Sequence, residues 1–195
     1  MAFMKTVQIS LLFLLLVSCS TREDALLELK KRSIDFNSDQ FIYAVEKSDI
    51  DTIKLFLDAG FNPNEKSGKD IPALIAAIES GNKRIVDLLI EEGSDVNLPS
   101  NSGYTPLMSA AANNHTDIVK TLLSAGANVN SKDNLGYTSI MFAVRNGNKE
   151  LVKVLLDAGA DPNVNVDPVR DDMIKFTRNM YPEIGEMLKE AGAND

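Results

Sequence analysis

Few residues of this 195-residue chain could carry covalent chemistry, and none stands beside a partner. Acid–base work needs a titratable group near its working pH with a second polar group in reach; the sequence holds one histidine, His115, and one cysteine, Cys19, about a hundred positions apart. A lone thiol can form no disulfide within the chain and offers no zinc site. The acid pairs Glu91-Glu92 and Asp171-Asp172 fall at exposed or helix-starting positions, where charge is solvated or favoured by the helix dipole. No glycine-rich phosphate loop and no serine in a nucleophile elbow is present. The expectation is a protein with no enzymatic activity, no metal and no cofactor. A balance of 20 basic against 28 acidic residues also argues against nucleic acid as a partner.

What the chain has instead is a period. Gly60, Gly93, Gly126 and Gly159 recur every 33 residues, and Gly192 falls on the next multiple. The columns Ala44, Ala77, Ala110, Ala143 and Asn64, Asn97, Asn130, Asn163 share the interval, as do Phe56, Leu89, Leu122, Leu155 and Leu188. Units of this size cannot bury their own apolar faces and must gain stability by stacking on neighbours.

One unit, Asn101 to Asp133, reads as two short helices and a loop. Thr105 can cap the first helix with Pro106 at its first position, and Leu107, Ala110 and Ala111 then share a face. Asn113-Asn114 makes the turn, since asparagine tolerates left-handed backbone. Ile118, Val119, Leu122 and Leu123 give the second helix its buried stripe, and Gly126 ends it. Gly-Tyr-Thr-Pro-Leu, Asp-Ile-Val-Lys-Thr-Leu-Leu and Ala-Gly-Ala-Asn-Val-Asn resemble an ankyrin repeat. The resemblance implies an all-α solenoid of stacked helix pairs, with β-turn or hairpin fingers and a cap at each end. Its repeats span 38–67, 68–100, 101–133 and 134–166. Full fingers are expected at Pro63 to Pro72, Val96 to Thr105 and Val129 to Thr138, with a divergent one at Pro162 to Asp171. The histidine of the family's Thr-Pro-Leu-His pattern is replaced by Ile75, Met108 and Met141, which should exchange a hydrogen bond for apolar packing. His115 stands where the pattern commonly has histidine at the start of the second helix, a structural position.

The ends differ from the middle. Ser33 stands where Gly60 stands in the next unit, but 27 residues before it, so 24–37 reads as a half-repeat lacking a finger. At 167–195 a capping repeat is expected, with Met173, Phe176, Met180, Ile184 and Leu188 closing the core and Pro182 opening the last helix. At the other extreme, Val7 to Val17 is almost wholly apolar and too short for a membrane span, which reads as the core of a secretory signal. Leu16-Val17-Ser18-Cys19 resembles a bacterial lipobox. That resemblance implies cleavage of 1–18, acylation at Cys19, a short tether at 19–23 with a reach of about 17 Å, and a monomer anchored in the cell envelope facing the periplasm. Ser20 looks like an outer-membrane address. An ordinary cleaved signal with an incidental cysteine is the alternative.

Ankyrin arrays are similar to one another in binding proteins through finger tips and the exposed face of the first helix. Carried over by position, that surface comprises Lys66, Lys69, Ile71, Asn101, Ser102, Tyr104, Asn113, Lys132, Leu135, Tyr137, Arg145 and Asn146. Tyr104 and Tyr137 are one period apart and should point the same way, either toward a partner or over the bases of their fingers; tyrosine and arginine are the residues that dominate interface energetics. The expected partner is another periplasmic or envelope protein, such as a cell-wall or stress enzyme that the chain inhibits or protects against. A structural lipoprotein tethering envelope layers is the alternative, and a small-molecule receptor a weaker one.

Overall fold

A computed structural model describes residues 21–163 and 180–193. Helices account for the regular structure, and no strand occurs among the described residues. The first helix, α1, covers 21–31. There follow α2 (Ser38–Glu46), α3 (Ile50–Asp58), α4 (Ala73–Glu79), α5 (Lys83–Glu91), α6 (Pro106–Ala112), α7 (Thr116–Ser124), α8 (Ser139–Arg145), α9 (Lys149–Asp157) and α10 (Pro182–Glu190). Two layers result. First helices pack in series, α2 on α4, α4 on α6 and α6 on α8; second helices do the same from α5 through α7 and α9 to α10. The core runs between the layers, with Phe56, Leu89, Leu122 and Leu155 of the second helices and Ala77, Ala110 and Ala143 of the first wholly inaccessible.

The 33-residue interval has a local cause at every joint. Each second helix ends in a Schellman motif: Gly126 N–H donates to Leu123 O at 3.1 Å and Ala127 N–H to Leu122 O at 2.9 Å. The same pair of bonds recurs at Gly60, Gly93, Gly159 and Gly192. Ser33 makes it too, at φ 57° in place of glycine. The first helices α2, α6 and α8 end the same way, whereas at α4 the Gly81 N–H donates to Ile78 O but the Ala77 carbonyl accepts from Ser80 Oγ at 2.7 Å instead. Asn114, at φ 59°, is the left-handed residue after α6, as its turn position requires.

The asparagine column joins neighbours. Asn97 Nδ2 donates to Gly126 O at 3.1 Å, and its Oδ1 accepts from Asn128 N–H at 2.8 Å. Asn64 and Asn130 repeat both bonds one unit before and one unit after. Each such side chain therefore clamps the start of its own finger to the chain leaving the next unit's second helix, which ties successive helix pairs together. Asn97→Ala should cost about 1 kcal/mol, the ordinary net worth of exposed hydrogen bonds, read as a lower urea midpoint at unchanged slope.

The fingers are tight turns rather than hairpins. Ser100 N–H donates to Tyr104 O at 3.0 Å and Gly103 N–H to Ser100 O at 2.9 Å, and equivalents close the fingers at Ser67 and Asp133. Among the described residues, the first finger alone shows an antiparallel bridge, Lys66 to Pro72. Side chains add to the closure: Asp133 Oδ1 accepts from Leu135 N–H at 2.9 Å and Tyr137 N–H at 2.7 Å, and Ser67 Oγ accepts from Ile71 N–H at 3.3 Å.

Four expectations need correction. Helix α1 is already formed at residue 21, inside the stretch read as tether, because Glu23 and Asp24 sit in its early turns where the dipole favours acids. Leu123 is only half buried; the core-facing stripe of α7 is Ile118, Val119 and Leu122. The sulfurs of Met108 and Met141 accept from Thr105 and Thr138 N–H at 3.5 and 3.2 Å, so a weak hydrogen bond survives where histidine was lost. Met180 is 58% exposed, and Tyr181 takes its place by laying its ring against Gly147. Ile184 and Leu188 are buried as expected, whereas Met173, Phe176 and most of the fourth finger lie outside the described residues.

Candidate protein-binding face

The exposed edge of the first-helix layer carries four side chains that meet. Tyr104 and Tyr137 come from adjacent fingers, and both turn onto the ring of Phe142 in α8. Their centroids lie 5.6 and 5.8 Å from it, Tyr104 edge-on and Tyr137 tilted by 31°. The Arg145 guanidinium lies over the same ring at 5.3 Å, one helical turn on. Phe142 itself is 9% exposed, so its neighbours show while it holds them. The two tyrosines thus meet on one ring.

Tyr104 is held by a hydrogen bond as well as by the Phe142 ring. Its hydroxyl donates to Met108 O at 3.3 Å. Burial pushes its pKa up to about 12, the Glu79 charge adds to the rise, and Arg145 opposes it. Folding therefore favours the protonated phenol, and its contribution is lost as pH climbs from about 10 to about 12. In an ultraviolet titration one phenolate of the four tyrosines should appear late, near pH 12, and be missing from Tyr104→Phe.

The other residues of the expected surface divide by what their polar groups already do. Lys66 pairs with Asp70 at 3.5 Å, and Ile71 packs on the core. Asn101 and Ser102 give their carbonyls to Asn134, at 2.9 Å each, joining two fingers. Asn113 Nδ2 donates to Ser109 O at 2.9 Å, and Asn146 Nδ2 reaches across to Ala112 O at 2.9 Å, which binds α8 to the end of α6. Asn146 is thus committed to holding the stack. Lys69 and Lys132 are exposed, and Leu135 stands 77% exposed at the third tip. Cys19 lies outside the described residues.

Sequence reasoning missed Phe142, the hub of the cluster. The signal was available in the column Tyr43, Ala76, Ser109, Phe142, where two rings bracket two small residues. It also passed over Glu46, which with Glu79 and Arg145 forms the last column of the first helices. Glu79 has its pKa raised by burial and by the charge of Glu46.

The arrangement offers a surface rather than a pocket for chemistry. His115 shows the contrast: it occupies the N-cap position of α7 and lays its ring against Gly81. No group of three metal-ligating side chains occurs among the described residues, and no helix there is long and apolar enough to cross a membrane. A family model described as ankyrin repeats (3 copies) matches residues 41–133, and one described as ankyrin repeats (many copies) matches 122–167. The chain belongs to the ankyrin-repeat family. No curated protein matches it. As an ankyrin-repeat array it is a protein–protein interaction module, and the finger bonds, the asparagine clamp and the paired helix ends described above are what give that module its rigidity.

Proposed function

We propose that this ankyrin-repeat chain is a non-enzymatic binding module, exported and held in the bacterial envelope through a lipid on Cys19, that docks on a periplasmic protein and inhibits or protects against it. The aromatic and cationic cluster at Tyr104, Phe142, Tyr137 and Arg145 supports the reading most strongly. Rigid aromatic rings with an arginine above them make the kind of contact that dominates protein interfaces, and here they are pre-positioned by the stack, so little ordering cost falls on binding. Because α1 is formed by residue 21, almost no chain remains between Cys19 and the array. A lipid there would keep the binding face close to its membrane.

Two measurements test this. Metabolic labelling with palmitate should mark the chain and fail to mark Cys19→Ser; an unlabelled wild type overturns the anchor. Pull-down from envelope extract should recover a partner at near-equal stoichiometry, with recovery down at least tenfold for Arg145→Glu combined with Tyr137→Ser. Equal recovery by both proteins removes this face from the account. Bulk capture of peptidoglycan or a porin in place of a soluble partner would favour the tethering reading.

A further inference from the structure

The binding face is not uniform along the stack. Its last column reads Glu46, Glu79, Ala112, Arg145, one residue from each successive first helix. Both acids lie at one end and the arginine at the other. None of the three forms an ion pair among the described residues. Lys47, the base next to Glu46, is drawn aside over the Tyr43 ring at 5.5 Å. The neighbours feel each other's fields in order: Glu46 acts on Glu79, and Glu79 and Arg145 act on Tyr104 from opposite signs. Tyr104 lies within reach of both charged ends, and its ring packs with that of Tyr137 on Phe142, one helical turn before Arg145.

An acid crowded by a second acid, and an arginine satisfied only by a ring, are both arrangements that an incoming opposite charge improves. Resting on the binding role proposed above, we infer that the partner lays a bipolar protein segment along the first-helix row, with a basic side chain between Glu46 and Glu79, apolar side chains on the aromatic rings and an acidic side chain at Arg145. Packed helices stand roughly 8–10 Å apart, so Glu79 and Arg145, two helices apart, are separated by about 20 Å. A helical segment covers that span in about 13 residues and an extended one in about 6.

The test uses a phage-displayed library of random 16-residue peptides, panned against the detergent-solubilised full-length chain, against Arg145→Glu and against Glu46→Lys/Glu79→Lys. Neutral Arg145→Gln and Glu79→Gln serve where a reversal impairs folding, judged by circular dichroism. Peptides enriched on the wild type should carry a base and an acid at opposite ends of an apolar stretch. Those enriched on Arg145→Glu should carry bases at both ends, and those on the double lysine variant acids at both. A peptide selected on the wild type should bind each reversal at least about tenfold more weakly, a difference of about 1.4 kcal/mol. Enrichment with the same charges on all three proteins, or with none, overturns the bipolar segment and leaves the binding face standing. Absence of any enrichment above a scrambled-surface control overturns both.

Discussion

Leu122→Ala is expected to lower stability by about 3–4 kcal/mol, the cost of a cavity in a site that cannot collapse. The side chain is wholly inaccessible, and its helix, α7, lies between α5 and α9. Its carbonyl also accepts the Ala127 N–H that closes the helix, so the backbone around the vacancy is pinned. Relaxation could come only from moving a neighbouring unit, which would break the clamps at Asn97 and Asn130. Against a total of about 5–15 kcal/mol for a domain, one such loss removes a large share. Leu135→Ala is the control: at 77% exposure it should change the urea midpoint by no more than about 0.5 kcal/mol equivalent.

Gly147→Ala should act locally and just as severely on the end of the array. Gly147 sits at φ 67°, where an alanine costs about 1–2 kcal/mol. An added Cβ would also come within 2.5 Å of Tyr181 Cε1 and Cζ, so the ring must leave the position from which it covers the turn after α8. Tyr181 is the N-cap residue of α10, and α10 is held to α9 by Lys149 and Glu183 at 2.6 Å, an exposed pair of small worth. With the ring displaced, α10 is left to its buried Ile184 and Leu188 and to Asn163 Nδ2, which donates to Gly192 O at 3.2 Å, so its docking should weaken rather than vanish. Hydrogen exchange should show α10 losing protection well before α5 and α7, while Gly81→Ala, facing the thinner His115 ring at 3.3 Å, should leave α10 unchanged.

Much of this was legible from spacing alone. The glycine column forecast left-handed helix exits because few other residues take that backbone cheaply, and Ser33 followed from the same column although it is not glycine. The leucine and alanine columns forecast the core for the same reason: a one-dimensional stack places equivalent positions in equivalent surroundings. Period reasoning fails where one unit departs from its neighbours. Phe142 shares a column with Ala76 and Ser109, and only contact with Tyr104 and Tyr137 gives it a role. Met108 and Met141 looked purely apolar because a thioether accepting a backbone hydrogen bond is visible only in coordinates. Asn146 looked available for binding because an amide reaching into the preceding unit leaves no trace in one unit's pattern.

Hydrogen exchange of the chain with and without a protein partner captured by pull-down is the most direct measure of the binding face. Protection should rise over the fingers and first helices at 99–113 and 132–146 and stay unchanged over α7 and α9. Protection gained on the outward faces of α7 and α9, with Tyr104, Phe142 and Arg145 exchanging as before, would contradict it.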